Sequence, residues 1–281
     1  MALGFFPIPI YRAVSKSNTL GVSLITLIFG AIVFWASVAF YYQRVGLIVT
    51  PQIVGTFLLA GILAPGLVRP FYFLGVERIG PALATSLGSV SPFFILLPAV
   101  LFLGERVTYP IVAGMVLIVA GIFVLQKESI SVDASGRSEK TLSLGAVSPL
   151  LSAVFFAGSV FFNKSALSQV DAPLLAAALS TTGALIPNTA FILIRRETGG
   201  LKIGRASLKF VLLASAAATL GWFFTVLSVS LGSAIVVTPI LSTFPLFTLI
   251  FAAANKQFKG NSRTLVAGTM MIALAIVIME L

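Results

Sequence analysis

The feature that most constrains this chain is that its middle occurs twice. The stretch from Leu67 to Phe94 recurs at Leu220 to Phe247. Leu67, Phe71, Leu74, Val76, Thr85, Ser89, Pro92 and Phe94 fall opposite Leu220, Phe224, Leu227, Val229, Thr238, Ser242, Pro245 and Phe247. After one extra residue in the following loop the match resumes, with Val112, Ala113 and Gly114 opposite Val266, Ala267 and Gly268. The abundance of Leu and Val does not produce repeated Ser-x-x-Pro steps. One unit has been duplicated and fused, so the fold is that of the unit, doubled.

The unit belongs in a membrane. The chain is 58% hydrophobic and 9% charged, against roughly 45–50% and 25% in soluble domains. Its apolar runs approach the ~20 residues that span a bilayer. They are Leu20–Tyr42, Ile53–Val76, Pro81–Leu103, Val107–Leu125, Leu144–Phe162, Pro173–Ile194, Leu208–Ser230, Ala234–Ala254 and Thr264–Leu281. A further run, Leu3–Tyr11, is too short to span. Tyr11-Arg12-Ala13 aligns by repeat with Asn163-Lys164-Ser165, so this run is a helix that begins upstream of Met1 or one that is short in nature; the first is the expectation. Met1 to Ala13 has neither a basic leading segment nor a small-residue cleavage site, unlike a signal peptide.

These runs predict an all-α polytopic membrane protein of about ten transmembrane helices, the first short or truncated. Five helices per repeat is an odd number, so the two copies enter the membrane in opposite directions. The expected organisation is a first repeat over 1–126, a polar linker over 127–143 and a second repeat over 144–281. The polar stretch Lys127–Thr141 reads as flexible.

The net charge of +10 does not point to nucleic acid, because the basic residues stand singly or in short groups between apolar runs. They belong in loops facing anionic headgroups. Counting helices from the short first one, loops 1–2, 3–4, 5–6, 7–8 and 9–10 carry fourteen of the Lys and Arg residues and the remaining loops three. That bias places the first set of loops in the cytoplasm and the C-terminus outside. Cys and His are absent, which removes disulfides, thiolate nucleophiles, Cys or His metal sites and His bases. No cofactor is expected, and no nucleophile–base pair, metal cluster or phosphate loop supports a membrane enzyme.

The segment Leu74–Gln126 (LGVERIGPALATSLGSVSPFFILLPAVLFLGERVTYPIVAGMVLIVAGIFVLQ) combines a small-residue helix with a mid-helix Pro, a Leu103-Gly104-Glu105 turn and a Gly-rich last helix. It resembles the ten-helix EamA-like branch of the drug/metabolite transporter superfamily. The second copy, Ser230–Met279, keeps the Pro but has Lys256-Gln257-Phe258 in place of the turn. The resemblance implies a carrier of small metabolites or drugs in the cytoplasmic membrane, working by alternating access. It also implies both termini inside, contrary to the charge bias, which we follow here. The superfamily's small four-helix multidrug pumps use a membrane-buried Glu. All eight acidic residues here (Glu77, Glu105, Glu128, Asp133, Glu139, Asp171, Glu197, Glu280) fall at helix ends or in loops. Facilitated transport or exchange is therefore expected rather than proton coupling.

The candidate substrate-binding residues come from both repeats. Arg69, followed by Pro70, stands inside an apolar run, where a cation costs at least about 2.5 kcal/mol. It clamps a substrate carboxylate or phosphate, or it snorkels to the interface. Its repeat partner is Trp222, and a cation facing an indole suits an amino acid or aromatic acid. Ser89, Ser91 and Pro92, with Ser242, Thr243 and Pro245, mark two mid-helix steps. Freed carbonyls and hydroxyls there line a cavity, or the small residues pack helices. Thr85, Thr238 and Asn188 are further candidates. Gly114, Gly121 and Gly268 permit close helix packing or contacts in a homodimer, and Arg12 and Lys164 mark helix ends. The function expected is secondary transport of small organic solutes by rocking of one repeat against the other, with export of amino acids or related metabolites foremost. The alternatives are multidrug efflux, exchange of phosphorylated sugars, or a non-transporting membrane scaffold or receptor. The partners are a small-molecule substrate and the lipid bilayer.

Overall fold

The computed structural model describes residues 19–42, 49–134, 139–195, 205–247 and 262–279. Within them the chain forms α1 (Thr19–Tyr42), α2 (Pro51–Gly61), α3 (Val68–Ile79), α4 (Pro81–Gly88), α5 (Ser91–Leu103), α6 (Tyr109–Ala134), α7 (Glu139–Leu167), α8 (Pro173–Ile194), α9 (Arg205–Leu231), α10 (Ala234–Ser242) and α11 (Ser262–Met279). Seven helical stretches are long and apolar enough to cross a membrane, and Ala234–Phe247 and Val266–Met279 are shorter apolar helices. Much of the apolar surface points outward: Ile32 (65%), Leu97 (68%) and Phe102 (73%) are exposed, as expected where lipid is the solvent. The run Leu3–Tyr11 and residues 248–254 of the ninth apolar run lie outside the described residues.

Helix starts and stops follow local chemistry. Pro51, Pro81, Pro92 and Pro173 stand in the first turn of their helices, where a missing N–H costs no hydrogen bond. Three of the expected spans are broken, and one of them, Ala234–Ala254, breaks at Thr243, so that Pro245 stands just after a helix end rather than in mid-helix. Ile53–Val76 is not one helix: α2 and α3 are joined by a π turn, Ile62–Leu67, in which Ala64 is extended (φ −139°, ψ 131°) ahead of Pro65. A proline ring disfavours helical geometry in the residue before it. Pro81–Leu103 divides at Ser89-Val90, so Pro92 opens α5 rather than sitting in mid-helix. The polar stretch 127–143 is also different from its expectation. α6 runs on to Ala134 and α7 begins at Glu139, because hydropathy marks where a helix leaves lipid, not where it unwinds. Residues 135–138 lie outside the described set.

The chain packs as two compact units that cut across the repeats. One comprises Met1–Pro70 with Phe162–Leu231, the other Phe71–Phe161 with Gly232–Leu281. In the first, α8 packs on α1, α2, the π turn and α9, and α9 packs on α1. α2 and α8 touch backbone to backbone: a Cβ on Gly61 would overlap the Ser180 carbonyl, and one on Gly183 the Leu58 carbonyl. In the second unit α11 lies along α6, burying Ile118, Ile122, Leu125, Ile272, Ala275 and Met279. Gly121 and Gly268 face each other there, and Gly114 faces Met279. These glycines therefore seat α6 against α11 within the chain.

The turn after α5 shows what Leu103-Gly104-Glu105 does. Gly104 adopts φ +67° and closes α5, a left-handed conformation that favours glycine. Glu105 then accepts hydrogen bonds from the backbone N–H groups of Ala234 (2.6 Å, Oε1) and Ile235 (2.9 Å, Oε2). A carboxylate here caps the otherwise unpaired N–H groups and the positive end of α10.

Candidate functional site

The first unit contains a hollow lined by Thr26, Leu27, Gly30 and Phe34 of α1, Pro65 of the π turn, Arg69 of α3, Thr181 of α8, and Ala218, Thr219 and Trp222 of α9. Its free volume of about 10 Å³ is room for about one water. Of these residues Arg69 alone carries a charge. It lies ten residues before the end of the span Pro51–Ile79, or about 15 Å at 1.5 Å per residue.

Arg69 turns inward. Its Nη1 donates to the Ser23 carbonyl (3.2 Å) and to Ser23 Oγ (3.1 Å). Ser23 Oγ donates to Asn188 Oδ1 (3.4 Å), and Asn188 Nδ2 donates to the carbonyls of Gly66 (2.9 Å) and Ala184 (3.0 Å). Pro70 has no N–H to give the Gly66 carbonyl one turn earlier, and Asn188, buried to 1% exposure, supplies the donor. Asn188 thereby braces the kink and reaches Arg69 through Ser23.

Across the hollow, Trp222 Nε1 donates to Ser180 Oγ (3.0 Å), which fixes the indole ring. Arg69 and Trp222 are repeat equivalents, as are Pro65 and Ala218, and all four line the same hollow. Gly30 keeps it open: a Cβ there would lie 3.2 Å from Thr219 Oγ1 and 3.5 Å from Thr181 Cγ2. Thr181 Oγ1 is buried without a hydrogen-bond partner among the described residues, a state that costs about 1–3 kcal/mol.

The remaining candidates lie in the second unit and do not line this hollow. Thr85 and Thr238 bond back to the carbonyls of Pro81 (2.6 Å) and Ala234 (2.7 Å), and Ser89 and Ser242 to those of Thr85 (2.9 Å) and Thr238 (3.0 Å). Tyr72 Oη meets Thr85 Oγ1 at 2.7 Å. Ser91 Oγ and Ser242 Oγ are 3.1 Å apart, joining α5 to α10. Thr243 ends α10 by donating from Oγ1 to the Ile240 carbonyl (2.7 Å), and Pro245 follows in the next helical turn. Pro92 has the equivalent position at the start of α5. In the first unit Lys164 Nζ donates to the Ser230 carbonyl (3.4 Å) at the negative end of α9; Arg12 lies outside the described residues.

Sequence reasoning passed over Ser23, Thr26, Gly30, Thr181 and Thr219. Their signal was present as spacing: Ser23, Thr26 and Gly30, and Ser215, Thr219 and Trp222, recur at three or four residues inside apolar helices. That is one face of each helix.

The EamA-like transporter family matches residues 1–126 and 143–280. Over 117 residues, 42% of this chain, it is 32% identical to the pseudopaline exporter CntI of Pseudomonas aeruginosa, strains UCBPP-PA14 and PAO1. The match spans 38% of the length of those curated relatives. A protein of known crystal structure shares the fold, with TM-score 0.75 and 16% identity over 99% of this chain and 95% of that one.

Proposed function

This chain belongs to the EamA-like transporter family, and we propose that it exports a small carboxylate-bearing metabolite, an amino acid or a related solute, across the cytoplasmic membrane. The observation that carries this reading is the Arg69–Trp222 hollow. One guanidinium at depth within the spans offers a bidentate partner for a carboxylate, and an indole and Phe34 offer an apolar wall. None of the described lining residues supplies a carboxylate for a cationic drug. A single Arg, with no second cation among the described lining residues, suits one carboxylate better than a phosphate. Outward flux is supported by the likeness to the pseudopaline exporter.

Transport by alternating access is supported by the size of the hollow. Room for about one water admits no amino acid until the surrounding helices move. The helices that must part are those that line it, α1, α3, α8 and α9, with the π turn. With no carboxylate among the described lining residues there is no protonatable acid among them to couple a proton, so facilitated movement or exchange is the mode proposed.

The test is counterflow in sealed proteoliposomes loaded with single unlabelled amino acids and aromatic acids, with the labelled species outside. Transient accumulation of one of them, unaffected by a protonophore, is the expected result. Movement that requires an imposed pH gradient, or that is confined to sugar phosphates or organic cations, overturns the reading. Failure of the wild-type chain to move any solute favours a scaffold or receptor.

A further inference from the structure

Thr181 is an exception among the threonines of its unit. A buried hydroxyl in a membrane helix ordinarily bonds to the carbonyl one turn earlier. Thr26 does so to Val22 (2.8 Å), Thr182 to Ala178 (2.8 Å), Thr219 to Ser215 (2.8 Å) and Thr225 to Gly221 (2.9 Å). Thr181, equally helical and only 3% exposed, does not, and its Oγ1 has no partner among the described residues. It is also the α8 residue that borders the hollow. Its neighbours Ser180 and Thr182 are engaged by the two tryptophans, through Trp222 Nε1 (3.0 Å) and Trp35 Nε1 (2.9 Å).

We propose that Thr181 is the specificity-determining residue of the hollow, hydrogen-bonding a second polar group on the solute. This rests on the reading of Arg69 as the carboxylate site. With the carboxylate held there, the Thr181 hydroxyl bonds an amine or hydroxyl on the adjoining carbon, selecting 2-amino and 2-hydroxy acids over plain carboxylic acids. A hydroxyl suits both, because it donates and accepts. It also fits a hollow with no acid among its described lining residues: the ammonium of a zwitterion is met by a neutral oxygen while the guanidinium takes the negative end. Gly30 serves the same end by leaving space beside Thr181 and Thr219.

The test is titration calorimetry on the purified full-length protein in detergent, using two matched sets of probes. These are leucine, 4-methylpentanoate and 3-methylbutylamine, and phenylalanine, 3-phenylpropionate and phenethylamine. Wild type is expected to bind the better amino acid about tenfold more tightly than its des-amino acid, the scale of one net hydrogen bond, and to bind the amines weakest. Thr181→Val should bring that ratio to within about twofold while leaving des-amino binding unchanged, and Thr181→Ser should preserve it. Gly30→Ala, which leaves the hydroxyl in place but sets a methyl against Thr219 Oγ1 and the Thr181 methyl, narrows the space beside Thr181 and should lower amino-acid affinity more than des-amino affinity. An unchanged ratio in Thr181→Val, even with altered thermal stability, overturns the inference and assigns the hydroxyl to packing or a bound water. If Thr181→Val does not fold, an unchanged ratio in Gly30→Ala overturns it. If no carboxylate binds, or Arg69→Ala binds all probes as wild type does, the carboxylate site itself fails, and this inference with it.

Discussion

The two packed units have the same ancestry and opposite chemistry. In the second unit the duplicated residues still act alike. Thr85 and Thr238 make the same bond to the carbonyl one turn back, Ser89 and Ser242 do likewise, and Ser91 meets Ser242 across α5 and α10. In the first unit the duplicated frame survives but its side chains have diverged. Arg69 takes the place of Trp222 and Pro65 that of Ala218, while the unchanged pair Gly30 and Gly183 is put to different uses. Gly30 holds space open, whereas Gly183 lets α8 touch α2. Symmetric hydroxyls satisfy backbone and tie helices together. Asymmetric ones leave a charged group, an indole and an unpaired hydroxyl around one hollow. A solute with unlike ends needs that asymmetry; helix packing does not.

The largest effect expected on this contrast is structural. Gly61→Ala drives a methyl into the Ser180 backbone, and backbone cannot step aside. It should cost about 3 kcal/mol, the upper range for overpacking, and abolish binding with it. Gly114→Ala in the second unit meets the Met279 side chain, which can swing away, and the Ala275 carbonyl at 2.9 Å, which must shift slightly, so a smaller loss of about 2 kcal/mol is expected there. Thermal unfolding in detergent compares the two; equal losses would break the distinction.

Next comes Arg69→Ala. Losing hydrogen bonds to a charged group costs about 1.5–3 kcal/mol, roughly 10- to 150-fold in affinity. That loss should appear in solute binding, with Arg69→Lys intermediate, since an ammonium lacks the planar fork. Glu105→Gln is smaller: the N-terminus of α10 loses a charged cap worth about 1 kcal/mol. Stability should fall while solute affinity stays as in wild type, and a matching loss of affinity would remove the separation between units. The least is Ser91→Ala with Ser242→Ala. Interhelical hydrogen bonds in membranes average about 0.6 kcal/mol, and a double-mutant cycle on unfolding should return a coupling of that order.

How far the chain could be read in advance follows the same division. Apolar run length located the spans, and the duplication located both Pro steps, because these are one-dimensional properties. Arg69 and Trp222 stood out for the same reason: each is an odd residue in an apolar run, and each is the other's repeat partner. What remained hidden depends on three-dimensional detail. The π turn at Ile62–Leu67 is decided by the ring of Pro65 meeting the packing of α8 through Asn188 and Gly66. Thr181 differs from Thr182 by which side of α8 faces the hollow, and no count of hydroxyls reveals that. Polarity suggests a flexible linker between the repeats, but a helix can continue beyond its apolar run, as α6 does to Ala134.

The chain has no cysteine, which permits a direct test of the claim that the first unit holds the solute. Thr219→Cys places a thiol in the hollow and Ser91→Cys one between α5 and α10. The rate of modification by a small methanethiosulfonate reagent is then measured with and without the solute that the wild type moves in counterflow. Protection at position 219, absent at position 91, is the predicted result. An unchanged rate at 219 under saturating solute, or equal protection at 91, contradicts it.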